Sequence, residues 1–159
     1  MLSSWSAAAF AEVVDKPEAA DYIILGLETP KGAPKSSAFL EQFFPRGRLN
    51  FTQEEKEEIL DLVHQKPTIT VLTIDRPPVV PEINEKSEAV IADFYCEYET
   101  IFELIFGRFA PQGKLPVELR ASAKAVKNQK EDLPYDSKDP LYPFGHGLSY
   151  SSLLGQNLH

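Results

Sequence analysis

Three short apolar runs divide the chain, with helical patterns between them. Residues 22–27 are continuously apolar, residues 68–74 alternate and concentrate β-branched side chains, and residues 89–94 form the third run. A continuous apolar run is typical of a strand covered on both faces, as the strands of parallel sheets are. Strands that alternate with helices predict βαβ units. The pattern therefore predicts an α/β fold, a three-layer sandwich with helices on both faces of a mostly parallel sheet.

Two segments carry helical patterns. Thr52 followed by Glu55 makes a capping box, which predicts the start of a helix that ends before Pro67. We expect Ile59, Leu60, Leu62 and Val63 to supply the buried face of this helix. Residues 100–106 predict a second, shorter helix whose inward side chains are Ile101, Leu104 and Ile105.

The other segments lack a clear period. Residues 31–47 mix proline, glycine and serine with large apolar residues and predict a long loop, and long loops in compact domains tend to be functional. Residues 117–119 are a candidate short strand, and the polar residues 121–140 predict a solvated loop. Residues 141–150 combine aromatics with glycine and proline, which favours an irregular backbone over a helix or a regular strand.

Length and composition bound the organisation of the chain. Its 159 residues are 43% hydrophobic, enough for one core, so residues 1–159 are interpreted as a single domain. The formal charge of −8 argues against a nucleic-acid partner, because no basic stripe exists to neutralise phosphates. Residues 1–14 have no basic start and no long apolar run, so neither a signal peptide nor a membrane span is predicted. The compartment, cytoplasmic or secreted, stays open.

No pattern in the sequence points to a cofactor or a metal. Cys96 is the single cysteine and has neither a CxxC partner nor a histidine close in sequence. No P-loop or GxGxxG follows a predicted strand, so no cofactor is expected. A flavodoxin-like cofactor module is a distant alternative, because Glu28 would repel phosphate from the turn after the first strand.

Two motifs near the end of the chain are specific. Residues 113–117 read GKLPV, and residues 141–150 read LYPFGHGLSY. Together they resemble the C-terminal end of glycoside hydrolase family 3, the β-glucosidase and β-N-acetylglucosaminidase group. The resemblance extends back to the Ala-Asp that opens the strand at residues 20–26 and to the Arg-Pro at residues 76–77. It covers residues 20–150, so residues 1–19 are a poorly matched N-terminal segment.

The resemblance implies that the chain is a C-terminal α/β sandwich domain, incomplete because the opening strands of the family domain lie ahead of residue 20. The implied parent reaction is hydrolysis of terminal β-linked sugars such as β-glucosides, so the implied partner is a carbohydrate. The family's nucleophile lies on a separate N-terminal (β/α)₈ barrel, which this chain is too short to contain. The chain alone is therefore not expected to be active. Missing strands leave a sheet edge exposed, so we expect pairing with the absent remainder or a homodimer.

In many family members a glutamate on the loop after the first strand seen here is the acid/base. Glu28 and Glu41 are the two candidates in this sequence, although most acids that follow strands are solvated. Arg76 is a candidate for binding a sugar hydroxyl or carboxylate, or alternatively for fixing its own turn.

The aromatic motif offers further candidates for binding substrate. Tyr142, Phe144 and Tyr150 could stack on a pyranose ring or serve as a plug that ties the end of the chain to the core. His146 could titrate near neutrality or be packed and hydrogen-bonded.

A non-catalytic carbohydrate-binding or structural module is the main alternative function. The glycine-rich loop that often precedes the family's final helix is replaced by residues 95–100, which contain no glycine. We expect this loop to lack the unusual backbone dihedrals that glycine allows, and so to contact a sugar only through side chains.

Overall fold

A parallel sheet of three strands forms the centre of the fold in a computed structural model of the protein. The structure describes residues 4–30, 48–128, 130, 133 and 135–149. The strands are β1 (Ile23–Glu28), β2 (Thr68–Thr73) and β3 (Ala89–Asp93), in the order β1-β2-β3. Both strand pairs are parallel. The predicted α/β fold with a parallel sheet is thus confirmed, and all three predicted strands are present.

The helix α2 (Gln53–Val63) connects β1 to β2 and begins at the predicted capping box. The Thr52 hydroxyl accepts a hydrogen bond from the amide of Glu55 at 3.2 Å. The Glu55 carboxylate in turn accepts one from the amide of Thr52 at 2.8 Å. Two amides that the helix cannot satisfy are therefore paired at its first turn.

One face of the sheet is covered by α2 and by α3 (Pro81–Lys86), the helix that connects β2 to β3. The buried residues of this layer form one apolar cluster: Ile59, Val63, Leu72, Ile74, Val80, Ile83 and Leu119. Pro81 suits the start of α3, because the first helical residue needs no amide donor.

On the opposite face, Tyr98 of α4 (Tyr98–Ile105) lines a pocket with Val71, Thr73 and Asp93, and α4 in turn contacts α1 (Ser4–Ala7). In α4 the buried residues are Ile101 and Phe102. The prediction of an inward Ile101 holds, but it missed Phe102, whose ring stacks on Phe10 with a centroid separation of 5.9 Å. Helices thus lie on both faces of the sheet, as the predicted three-layer arrangement requires.

The C-terminal part departs from the sequence predictions. The predicted loop 121–140 contains the helix α5 (Ala123–Asn128), so the prediction was wrong there. None of the six residues of α5 is buried, so no apolar period marked it. The strand β5 (Pro140–Tyr142) begins the motif expected to be irregular, and pairs antiparallel with β4 (Leu119–Arg120). Such a pairing depends on a distant partner, which local composition does not reveal.

Within the described residues, no helix combines the length and the apolar character needed to cross a membrane.

Candidate functional site

Three polar side chains form a row across the carboxyl ends of the strands. Glu28 ends β1 and lies in register with Thr73 at the end of β2. Thr73 lies in register with Asp93 at the end of β3. Because side chains alternate between faces along a strand, in-register residues of neighbouring strands share one face. In open α/β sheets ligands bind beyond this edge, so the row is the first place to look for a site.

Asp93 is held by hydrogen bonds on both of its carboxylate oxygens. It is 4% exposed. The Thr73 hydroxyl donates to Oδ2 at 2.9 Å, and the amide of Cys96 donates to Oδ1 at 2.8 Å. A buried carboxylate paired in this way fixes the turn after β3. The role of Asp93 in the row is therefore to shape the backbone around the site.

Asp93 also affects the neighbouring thiol. Cys96 is exposed as a residue, yet partial burial of its sulfur is the largest cause that raises the pKa of the thiol. A hydrogen bond to Asp93 and the charge of that carboxylate raise the pKa further. A thiol with a raised pKa is a poor nucleophile near neutral pH.

A small pocket of about 200 Å³ opens beside the row. Its lining residues are Gly26, Leu27, Glu28, Val71, Thr73, Asp93 and Tyr98. Ligand sites in proteins usually occupy at least about 300 Å³, so this pocket by itself would hold only part of a ligand. Glu28 is exposed and contributes to the lining of this pocket.

Arg76 lies just beyond the end of β2 and donates hydrogen bonds to backbone carbonyls. Its Nη2 contacts the carbonyl oxygen of Pro30 at 3.1 Å and that of Arg48 at 3.3 Å. Next to it, Thr29 is 2% exposed, and its hydroxyl lies 3.1 Å from the carbonyl oxygen of Thr73. The same hydroxyl accepts from the amide of Asp75 at 3.2 Å. These bonds join the chain after β1 to the chain after β2.

The turn after β3 contains a residue in the left-handed region of backbone space. Tyr95 has φ of 63°, and its hydroxyl donates to the carboxylate of Asp75. We expected a loop without glycine to lack such dihedrals, and that expectation was wrong at this residue. The Tyr95 side chain reaches the neighbouring turn, where Asp75 accepts its hydroxyl.

The aromatic candidates of the C-terminal motif lie elsewhere. Tyr142 and His146 stack with a centroid separation of 4.4 Å and line a groove of about 710 Å³. The groove runs along β3, because every residue from Ser87 to Ala92 contributes to its lining. The Tyr142 hydroxyl donates to Asn84 Oδ1 in α3 at 2.7 Å. Tyr142 and His146 are both half-buried and packed on each other.

Phe144 lies apart from this pair. It is 55% exposed, and its ring lies 4.6 Å from that of Tyr135. The structure thus divides the predicted site residues: Glu28 is in the small pocket, Arg76 in the backbone network, Tyr142 and His146 in the groove, and Phe144 on the surface. Glu41 and Tyr150 lie outside the described residues.

The two specific motifs bind each other through their backbones. The amide of Leu115 donates to the carbonyl of His146 at 2.8 Å, and the amide of Gly145 donates to the carbonyl of Leu115 at 2.9 Å. The Lys114 ammonium donates to the carbonyl of Gly147 at 2.6 Å. The second motif thus closes against the first.

A three-stranded parallel sheet between helical layers, with its polar residues at the carboxyl edge, defines an α/β sandwich domain. The model of the glycosyl hydrolase family 3 C-terminal domain matches residues 4–150, and the chain belongs to this family. The match also takes in most of residues 1–19, which the motifs left unassigned.

Named relatives and solved structures agree with the family. The chain is 41% identical over 140 residues to the probable β-glucosidase C of Aspergillus flavus, covering 88% of this chain and 22% of that protein. It is 34% identical to a periplasmic β-glucosidase/β-xylosidase of Dickeya chrysanthemi, covering 87% of this chain and 21% of that protein. The structure of a β-glucosidase from Erythrobacter marinus matches with a TM-score of 0.62 and 28% identity, over 84% of this chain and 19% of that one. The chain thus spans about a fifth of the length of these relatives.

Sequence reasoning missed two residues that build the carboxyl edge. Asp93 was read as part of an apolar run, although a carboxylate that ends a buried strand is itself a signal for this edge. Thr29 gave no signal, because its role depends on the carbonyls of Thr73 and Arg76, which lie more than forty residues away.

Proposed function

We propose that the chain is the C-terminal domain of a β-glycosidase that hydrolyses terminal β-linked sugars such as β-glucosides. Membership of the family carries this proposal, together with relatives named β-glucosidase and β-glucosidase/β-xylosidase. Because the chain spans about a fifth of those relatives, the nucleophile is assigned to an N-terminal (β/α)₈ barrel outside it. The domain alone is not active.

Glu28 is the proposed acid/base. It ends β1 at the carboxyl edge, it is exposed, and it borders the small pocket. A retaining glycosidase needs a second carboxylate about 5 to 5.5 Å from the first. Asp93 is unsuited to be that nucleophile, because both of its oxygens accept hydrogen bonds in a buried setting. Family membership, not the exclusion of Asp93, is the reason for assigning the second carboxylate to the barrel.

The aromatic residues and Arg76 are also proposed to bind substrate, and their exposure and existing contacts support this role to different degrees. Phe144 presents an exposed ring that suits the C–H face of a sugar. Tyr142 and His146 can contribute only the parts of their rings that face the groove, since each is packed on the other. Arg76 already donates to two carbonyls, so a contact from it to a sugar would compete with those bonds.

A non-catalytic carbohydrate-binding or structural module is the second candidate. The interlocked motifs and the hydrogen-bonded Asp93 favour it, because contacts within the fold account for both without a substrate. In this case the carboxylate of Glu28 is dispensable.

The edge strand β1 offers a surface for contact with a partner. Among the described residues β1 pairs with β2 on one side and has no strand on the other. We propose that this edge pairs with a strand of the remaining protein, or with a second copy in a homodimer when that remainder is absent. Light scattering on this chain and on a version extended upstream separates the two, because extension should convert a dimer to a monomer.

The deciding experiment measures hydrolysis of chromogenic β-glucoside, β-xyloside and β-N-acetylglucosaminide. Two proteins are compared, this chain and one extended upstream to include a barrel, each with and without Glu28→Gln. Glu58→Gln, at an exposed position on α2, is the matched control. Activity only in the extended protein, lost by orders of magnitude in Glu28→Gln alone, supports the acid/base role. An active extended protein that is indifferent to Glu28→Gln supports the non-catalytic module, and activity of this chain alone refutes the proposal.

A further inference from the structure

The two carbonyls that accept from Arg76 flank a long stretch of chain. Pro30 precedes residues 31–47, and Arg48 follows them. The same nitrogen of Arg76, Nη2, reaches both carbonyl oxygens, at 3.1 and 3.3 Å. The side chain of Arg76 therefore connects Pro30 with Arg48, although the three residues are distant from one another in the sequence.

The chemistry of the guanidinium group suits this task. Each terminal nitrogen carries two N–H donors in a fixed plane, so Nη2 can serve two acceptors at once. Hydrogen bonds from a charged donor such as a guanidinium are stronger than neutral ones. A lysine ammonium has no such fixed fork and would have to satisfy both carbonyls as a single point charge.

The surroundings of Arg76 are held by other bonds on each side. On the β1 side, the Thr29 hydroxyl lies within 3.2 Å of both the Arg76 carbonyl and the Asp75 amide. On the other side, the amide of Val79 donates to the carbonyl of Leu49 at 2.8 Å. Arg76 thus lies between two anchored stretches, and its side chain connects them.

We propose that Arg76 is a positioning residue that fixes the two ends of the segment 31–47 relative to the carboxyl edge of the sheet. By holding Pro30, it also sets the path of the chain immediately after Glu28. This role concerns the backbone of this chain and does not depend on the proposed hydrolysis.

The test is hydrogen exchange of single amides in this chain under native conditions. The amide of Val79 reports on the Arg48 side, since its acceptor is Leu49. The amide of Glu88 is the matched control, because it donates to Thr68 at 2.8 Å at the opposite end of the same sheet. In Arg76→Ala we expect the protection of Val79 to fall about tenfold, while that of Glu88 changes by less than about twofold.

Two further measurements separate positioning from a general contribution to stability. Arg76→Lys keeps the charge but not the fork, so we expect it to recover only part of the protection at Val79. Methylguanidinium added to Arg76→Ala should restore protection at Val79, whereas methylammonium at the same concentration should not. If Arg76→Ala does not fold, the proposal is tested with Arg76→Lys instead, by comparing the protection of the Val79 and Glu88 amides in that variant with the wild type.

The proposal is overturned if Val79 and Glu88 lose protection equally, because Arg76 would then act only on global stability. It is also overturned if Val79 is unchanged in Arg76→Ala or if Arg76→Lys behaves as wild type. The kinetics of the extended protein with Glu28→Gln are independent of all these results, so failure of either proposal can be recognised separately.

Discussion

Gly147 lies directly against the backbone of Gly113. A β-carbon built on Gly147 would lie 2.2 Å from the carbonyl oxygen of Gly113 and 3.0 Å from the side chain of Lys114. The two specific motifs of the sequence meet at this contact. Position 147 requires glycine because the backbone at Gly113 passes directly beside it. Any side chain at this position would displace that backbone.

Gly147→Ala should therefore destabilise the protein by about 2 kcal/mol, the range found when extra atoms are forced into a packed site. Gly113→Ala is the matched control, because a β-carbon on Gly113 meets nothing within 4 Å. Urea unfolding of both variants measures the difference. Equal losses in the two variants would show that the contact does not restrict the size of residue 147.

Thr29→Val should destabilise the protein by about 2 kcal/mol, although the two side chains have almost the same shape. The variant removes the buried hydroxyl that accepts from the amide of Asp75 and lies at hydrogen-bond distance from the carbonyl of Thr73, so both groups lose a hydrogen bond. Thr29→Ser keeps the hydroxyl and should cost only about 1 kcal/mol, for the lost methyl group. Thermal unfolding ranks the two variants, and a larger loss in Thr29→Ser would contradict the hydrogen-bond explanation.

Glu55 should make stability depend on pH in the acid range. The hydrogen bond from the amide of Thr52 is the largest cause that lowers its pKa in the folded protein, and the Thr52 hydroxyl and the Arg48 guanidinium act in the same direction. A carboxyl whose folded pKa is depressed stabilises the fold above its unfolded pKa of about 4.3, and this contribution is lost as pH falls through the folded pKa. Between about pH 5 and 3, Glu55→Gln should lose less stability than the wild type.

The control for this pH dependence is Glu58→Gln, on the same helix but away from its N-cap. It should retain the wild-type dependence on pH in a series of urea titrations. If Glu55→Gln retains it as well, the capping box does not contribute to acid unfolding.

Cys96 should react slowly with iodoacetamide at pH 8, because its raised pKa keeps the thiol protonated. Asp93→Asn removes the charge that opposes the thiolate, so we expect alkylation to become severalfold faster. Mass spectrometry over time measures both rates, with a short cysteine peptide as the reference. A wild-type rate equal to that of the peptide would contradict the prediction.

The central part of the fold was predictable because each element carries its own local signal. Thr52 and Glu55 are close in sequence, so the capping box marks the helix in the sequence itself. The opposite holds for β5, whose strand geometry at Tyr142 depends on pairing with Leu119. Helix α5 buries nothing, so it left no apolar period.

The candidate site was predictable only in part, for the same physical reason. Glu28 could be found because it follows an apolar run, and the position of a strand end is a local property. The partners of Arg76 could not be found, because they are backbone carbonyls, which every residue possesses. Which carbonyls come within reach of Arg76 depends on where the chain after β1 passes the chain after β2. That position is set by the packing of the domain.

The central position of β2 has a consequence for how the domain assembles. Because β1 and β3 each pair only with β2 among the described residues, neither can join the sheet before β2 is in place. Parallel pairs close long stretches of chain, so forming the first pair is the slow step, and because β2–β3 closes a shorter stretch than β1–β2, β1 joins later. Truncation of Val71, a buried residue of β2, should therefore slow folding, whereas truncation of Ile24 in β1 should mainly speed unfolding.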